Sequence, residues 1–269
     1  MKIKVPKFET QEELFDYLVK NVDEHIYQKK LAIKEADSTF GTDVAPILIL
    51  EGETYKGDTL NKDTENPDEL MVKAIINTTN LMDSHDDVHI KGLWDKSLKE
   101  NKRLKHIQEH EMKFDKVISD KTDLKGYVEE FTWKELGYDI EGKTQALVFD
   151  SNVKKSRNSF MFSEYKQGNV DNHSVGMRYV KLYFAMNSEK EHHAAYKDAW
   201  DKYYPEIANK AQADRKGYFY AVTEAKAIEG SAVVNGSNHI TPTLSAKEED
   251  IEVIENKELD AVKAFLGLD

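Results

Sequence analysis

The chain has 269 residues, of which 39% are hydrophobic and 33% are charged, and its formal net charge is −12. This length suits one large domain or a domain with appendages, and it is enough to bury a sizeable core. The acidic balance argues against a nucleic-acid partner, which needs a basic face. The absence of cysteine excludes disulfides, thiolate zinc sites and cysteine nucleophiles.

The amino-terminal segment predicts a soluble, intracellular protein. It lacks the apolar core of a signal peptide, and no run of about 18 apolar residues predicts a membrane span. The first predicted element is a helix over residues 11–36, because Thr10 and Glu13 match a capping box and apolar residues follow at helical spacing. Residues 37–69 are mixed, with a short strand predicted at 46–50 and a polar loop at 52–68.

From residue 72 onward, the pattern predicts strands with helices between them. Strands are expected over residues 72–79, 103–109, 124–133, 144–150, 170–184, 218–228 and 231–234, and helices near 93–98, over 153–167 and within 187–215. A β-rich body with helices laid against it favours the α+β class. We expect residues 1–69 to form an amino-terminal helix and extension, 70–245 the core with a helical insertion at 185–215, and 246–269 an acidic tail.

Nine histidines are present. His85 and His89 lie in the acidic segment 83–89, whose ligand types suit zinc or a harder ion. The spacing matches no established metal motif, and such a polar run is ordinarily a solvated loop. His192 and His193 lie in a charged, helix-favouring stretch that is typical of a surface pair.

A histidine, a serine and an acid lie in three separate segments: His110, Ser174 and Glu229. A serine hydroxyl is a poor nucleophile until a base removes its proton, and the base works best when a third group orients it. The order histidine, serine, acid differs from that of the best-known serine hydrolases. Each of the three residues, taken singly, is more often structural than catalytic.

Several blocks occur together between residues 70 and 245. They are an acid-rich loop and helix over 83–98, a strand ending at His110-Glu111, a helix and glycine followed by His-Ser-Val-Gly-Met at 173–177, and a glutamate strand over 227–234 with a loop after it. In this order they resemble the prohead proteases of tailed bacteriophages. These capsid maturation serine proteases are related in fold to the herpesvirus assemblin.

The resemblance implies a barrel-like β core and a serine endopeptidase. His110 would be the general base, Ser174 the nucleophile and Glu229 the group that orients the imidazole. The implied substrates are the phage major capsid protein and scaffold protein, cleaved inside the assembling procapsid in the host cytoplasm, together with the protease itself. The resemblance is compatible with a homo-oligomer. It implies no cofactor and no metal, and no nucleic-acid or membrane partner. The tail at 246–269 would be a packaging or self-cleaved segment, or a plain solvated helix.

The chain departs from the family pattern at three places. Glu111 stands where the family has aspartate, residues 116–119 replace a Pro-Ile-Gly segment, and residues 185–215 are inserted. Two alternatives therefore stay open. One is a non-catalytic structural or scaffold-associated virion protein with the same fold, and the other is a metal-dependent hydrolase that uses His85 and His89.

Overall fold

The computed structural model describes residues 3–33 and 68–247. The helices are α1 Gln11–Lys20, α2 Val22–Leu31, α3 Asp95–Glu100, α4 Ser159–Gln167, α5 Ala194–Tyr203 and α6 Lys210–Lys216. The strands are β1 Glu69–Thr78, β2 Asp87–His89, β3 Lys105–Gln108, β4 Val117–Asp120, β5 Leu124–Thr132, β6 Lys143–Lys154, β7 His173–Met186, β8 Tyr218–Ala232 and β9 Thr243–Lys247. The fold is mixed α+β, as the sequence predicts.

The strands of the described ranges form two sheets and do not close into one barrel. The first sheet is antiparallel, in the order β5-β6-β1-β9. The second is built on β8, which pairs with β7 along its whole length. The other edge of β8 pairs in parallel with β2 near its start and with β3 near its end, and β4 pairs with β3. The strand β8 is therefore the common neighbour of the segments that carry the candidate site.

The core lies where the two sheets face each other. Ile76 of β1 and Phe149 of β6 are fully buried and approach Gly230 of β8 so closely that a Cβ there would clash with both. Glycine is therefore required near the end of β8 to let the sheets pack together. This also explains an error in the sequence prediction, which divided 218–234 into two strands at this glycine although β8 runs through it.

The amino-terminal helices pack against this body. The capping box is confirmed, since the Glu13 amide donates to Thr10 Oγ1 at 3.2 Å. The predicted single helix over 11–36 is wrong, because the chain breaks at Asn21, whose side chain donates to the Tyr17 carbonyl at 2.8 Å. Asparagine often competes in this way with backbone hydrogen bonds. The apolar face of α1 and α2 joins the main core through Phe15, Leu18 and Val22.

Other boundaries differ in detail from the prediction. The helix expected from residue 153 begins at Ser159, because β6 continues to Lys154 and Asn158 caps the helix, its Oδ1 accepting from the Met161 amide at 3.0 Å. The strands β4 and β9 were not predicted. The predicted strand 46–50, the predicted loop except Asp68, and the tail beyond residue 247 lie outside the described residues. No helix within residues 3–33 and 68–247 is long and apolar enough to cross a membrane.

Candidate active site

A tight turn after β3 presents His110. Glu109 and His110 both adopt left-handed backbone conformations, with φ of 52° and 57°. Such a conformation costs of order 1 kcal/mol or more for each non-glycine residue and persists only where neighbouring groups fix it. Here the Glu109 amide donates to the Ala232 carbonyl at 2.9 Å, and the His110 amide donates to Ser231 Oγ at 3.1 Å. The end of β8 therefore fixes a strained turn that points the imidazole at the sheet.

The imidazole of His110 pairs with Glu229. His110 Nδ1 lies 2.6 Å from Glu229 Oε1, and the two side chains are only 8% and 4% exposed. The other carboxylate oxygen, Oε2, accepts from Ser231 Oγ at 2.7 Å. Ser231 thus holds both partners, because it donates to the carboxylate and accepts from the histidine amide. The Glu-Gly-Ser order at 229–231 puts these groups on one strand, a role for Ser231 that the sequence analysis missed.

Gly176 on β7 makes room for the carboxylate. The register pairs Gly176 with Glu229 across β7 and β8, and a Cβ at residue 176 would overlap Glu229 Oε1. The glycine of the Ser-Val-Gly segment is therefore required by the close approach of the Glu229 side chain. Any larger residue would push the carboxylate away from His110.

Ser174 lies on the same strand, two residues before Gly176. It pairs with Ser231 across β7 and β8, and directly opposed residues of antiparallel strands project to the same face. Ser174 therefore shares a sheet face with Ser231 and with the His110–Glu229 pair, and it is 6% exposed. The structure brings the three residues that the sequence analysis singled out to one face around the end of β8.

A small pocket opens beside Ser174. Its lining comes from β1, the loop before β2, β2 itself, β7 and the loop before β9, and consists of Ile76, Asn77, Asp83, His85, His89, Ser174, Val175, Met177, Tyr179, Ser237 and Asn238. Asn238 Nδ2 is fixed by Thr78, donating to its carbonyl at 3.0 Å and to its hydroxyl at 2.9 Å. These bonds hold Asn238 in place in the pocket lining.

The segment 83–89 is buried, so its interpretation as a solvated loop is wrong. Asp83 Oδ1 accepts from the backbone amides of His85 and Asp87 at 2.8 and 3.0 Å. Lys29 of α2 donates to the His85 carbonyl at 2.9 Å and pairs with the Asp87 carboxylate, and both charged side chains are essentially inaccessible. A buried lysine from a distant helix therefore neutralises Asp87, and Lys216 of α6 pairs with Asp86 at 3.3 Å.

His89 serves in the same buried network. Tyr179 donates its hydroxyl to Asp87 Oδ2 at 2.8 Å, so His89 Nε2, at 3.1 Å, is the donor to the tyrosine oxygen. His89 Nδ1 then accepts from Asn77 Nδ2 at 2.9 Å. Within residues 3–33 and 68–247, no group of three ligand atoms close enough to share an ion includes His85 or His89.

A second buried chain of hydrogen bonds runs through His173, the residue before Ser174, and no sequence pattern indicates it. His106 and His173 both place Nε2 on the hydroxyl of Tyr165, at 3.0 and 2.9 Å. At one end of this chain of hydrogen bonds, His173 Nδ1 donates to the Thr241 carbonyl at 3.0 Å. At the other end, His106 Nδ1 lies within hydrogen-bond distance of Ser151 Oγ, at 2.9 Å. Since a carbonyl only accepts, the chain has one consistent direction: His106 Nε2–H donates to Tyr165, and Tyr165 donates to His173 Nε2.

Both buried histidines are held neutral. Burial lowers the pKa of His173 to about 4, although its bond to the Thr241 carbonyl acts in the opposite direction. Burial, with a smaller contribution from His173, lowers the pKa of His106 well below its ordinary value. Burial also raises the pKa of Tyr165. These groups therefore fix the strand that carries Ser174 and are not placed to exchange protons with solvent near neutral pH.

Comparison of the chain with models of known protein families, with curated proteins and with solved structures found no match.

Proposed function

We propose that this protein is a serine endopeptidase of the prohead-protease type, with Ser174 as nucleophile, His110 as general base and Glu229 as the acid that orients the imidazole. The observation that carries the proposal is the buried 2.6 Å contact between His110 Nδ1 and Glu229 Oε1 on the sheet face that Ser174 shares. A carboxylate on Nδ1 holds one tautomer of the ring and leaves Nε2 to face a nucleophile.

The proposed reaction needs no group beyond water and the polypeptide. His110 Nε2 takes the hydroxyl proton as Ser174 Oγ attacks a peptide carbonyl carbon. The tetrahedral intermediate collapses, the C–N bond breaks, and the imidazolium gives its proton to the leaving amine. Water then attacks the Ser174 ester with the same base, releasing the acid and restoring the hydroxyl. Glu229 stabilises the imidazolium in both halves of the reaction.

Apolar side chains beside the pair are compatible with a polypeptide substrate. Met112 and Phe114 follow His110 in the chain and are 58% and 96% exposed, and Val234, just after β8, is 86% exposed. The Val234 amide donates to Glu109 Oε1 at 3.1 Å, which ties its loop to the His110 turn. Exposed apolar side chains around a site commonly mark a surface that binds another chain.

The finer parts of the proposal follow from the family resemblance. The substrates would be the phage major capsid and scaffold proteins inside a procapsid, with self-cleavage in the same reaction class. The two facing sheets would form the barrel-like core of an assemblin-type fold, with β8 at its centre. A homo-oligomer is compatible with this arrangement.

The test is covalent labelling of the folded full-length chain with an aryl fluorophosphonate, followed by mass mapping of the modified residue. We expect one adduct, on Ser174. It should be lost in Ser174→Ala, slowed by roughly 10²–10⁴-fold in His110→Ala, and unchanged in Ser156→Ala, which alters an exposed serine. A folded chain that gives no adduct on Ser174 would refute the nucleophile assignment and favour a non-catalytic virion protein.

A further inference from the structure

His193 is a buried histidine with one nitrogen unsatisfied. Its side chain is 1% exposed, and its Nδ1 lies 2.8 Å from Ser188 Oγ. Its Nε2 has no hydrogen-bond partner among the described residues. A buried polar atom without a partner costs about 1–3 kcal/mol, so this nitrogen is available to bind a ligand. The interpretation of His192 and His193 as a surface pair holds only for His192.

Two further side chains that can bind a metal ion lie near His193 Nε2. Asp16 Oδ1 of α1 lies 3.8 Å from His193 Nε2, and the ring centroid of His192 lies 4.1 Å from that of His193. One donor atom from each of the three residues lies within 4.8 Å of the other two, and no other such group occurs within residues 3–33 and 68–247.

We propose that Asp16, His192 and His193 bind a divalent transition-metal ion of the zinc class. Two imidazoles and one carboxylate suit zinc, with a water molecule as fourth ligand. The Ser188 hydroxyl on Nδ1 supports the ring as a ligating histidine requires, because its second nitrogen is held by another group. Metal–ligand bonds of about 2.0–2.2 Å require the donors to move closer together, which the exposed side chains of Asp16 and His192 allow.

A lysine now pairs with the proposed carboxylate ligand. Lys190 Nζ lies 3.0 Å from Asp16 Oδ1 and 2.6 Å from Glu12 Oε1. Exposed ion pairs contribute about 0–1 kcal/mol, so a bound metal can displace Lys190 from Asp16 while the Glu12 pair persists. The partial positive charge at the amino-terminal end of α5 disfavours a bound cation by a free energy that is at most similar. The carboxylates of Asp16 and Glu12 offset that cost.

The site would join two parts of the chain that are distant in sequence. Asp16 belongs to α1, whereas His192 and His193 precede α5 in the insertion 185–215. A metal bound here is therefore a structural clamp between the amino-terminal helices and the insertion, separate from the His110–Glu229 pair. Binding to the folded state alone would stabilise the fold in proportion to the free metal concentration.

The test uses the full-length chain after chelator treatment and gel filtration, titrated with Zn²⁺ by calorimetry and melted with and without Zn²⁺. We expect one Zn²⁺ per chain and a raised melting midpoint. Asp16→Asn and His192→Ala, both at exposed positions, should each weaken binding by roughly tenfold or more and abolish the shift in midpoint. Asp198→Asn, an exposed acid on α5, should keep both. Co²⁺ should give a visible spectrum of low-coordinate type in the wild-type chain and in Asp198→Asn, but not in Asp16→Asn or His192→Ala. Absence of stoichiometric Zn²⁺ binding, or wild-type affinity in both ligand variants, would overturn the proposal.

Discussion

Acidification should destabilise the protein through His173. In the folded chain its Nδ1 donates to the Thr241 carbonyl and its Nε2 accepts from Tyr165. A second proton on His173 would make Nε2 a donor, and the Tyr165 hydrogen would lose its acceptor. That hydrogen would find another acceptor only if His106 changed tautomer, with its Nδ1 donating to Ser151 Oγ and its Nε2 accepting from Tyr165. Burial is therefore the cause that disfavours the protonated form of His173.

The size of the effect follows from the two pKa values. Burial lowers the pKa of His173 from 6.5 to about 4 in the folded state, and the unfolded chain keeps the ordinary value. Between these values the unfolded state binds more protons, so the free energy of unfolding falls as the pH falls. The contribution of neutral His173 to the free energy of unfolding is fully present above pH 6.5. This contribution decreases by about 2 kcal/mol between pH 7.5 and pH 5 and by about 3 kcal/mol once the pH is below 4.

The assay is urea unfolding at pH 7.5, 6.5, 5.5 and 5, with His173→Asn as the matched variant. Asparagine does not titrate and keeps a donor for Thr241, so the variant should be less stable at pH 7.5 but lose about 2 kcal/mol less than wild type by pH 5. Equal pH dependence in the two proteins would refute the reasoning. If the variant does not fold, NMR titration of the wild-type imidazole decides the question, since a folded-state pKa near 6.5 would contradict the burial argument.

Three further predictions concern the site and its support. Gly176→Ala should displace the Glu229 carboxylate and reduce fluorophosphonate labelling at least tenfold, while the circular dichroism spectrum stays native; unchanged labelling would contradict the steric argument. Ser231→Ala removes the hydroxyl that holds both Glu229 and the His110 amide, so it should cost about 1–3 kcal/mol in unfolding free energy and slow labelling. Lys29→Met leaves the inaccessible Asp87 carboxylate without its lysine and should cost about 3–5 kcal/mol, measured by urea unfolding; a loss below 1 kcal/mol would show that the pair contributes little.

The sequence predicted the positions of helices and strands better than it predicted which polar side chains are buried. Apolar periodicity located β1, β5 and β7 to within a few residues, because one face of each strand must pack on the core. Gly168 ends α4 with φ of 74°, a conformation that glycine commonly supplies at the carboxyl end of a helix. The short strands β4 and β9 were missed, since their extended conformation depends on pairing with β3 and β1 more than on their own residues.

The polar loop 83–89 shows why the remaining features were inaccessible. Its composition is that of a solvated loop, yet Lys29, 58 residues away from Asp87 in the chain, covers it and supplies the opposite charge. In the same way, no local pattern indicates that Ser231 bridges His110 and Glu229 or that Tyr165 links two histidines. Packing of apolar faces produces a periodic pattern in the sequence. Pairing of polar side chains that are far apart in the chain produces no such pattern.

The position of β8 in the chain also governs when the site can form during synthesis. His110 is held by the end of β8, Glu229 lies on it, and Ser174 is set in register by it. While residue 232 is still inside the ribosome, the turn at His110 and the strand β7 that carries Ser174 have already been synthesised. The complete strand β8, with which both of them pair, is not yet available. Because non-local strand pairing is slow, the His110–Glu229 pair can form only after the whole of β8 has been synthesised. Truncated chains that end before β8 are therefore expected to lack the site altogether.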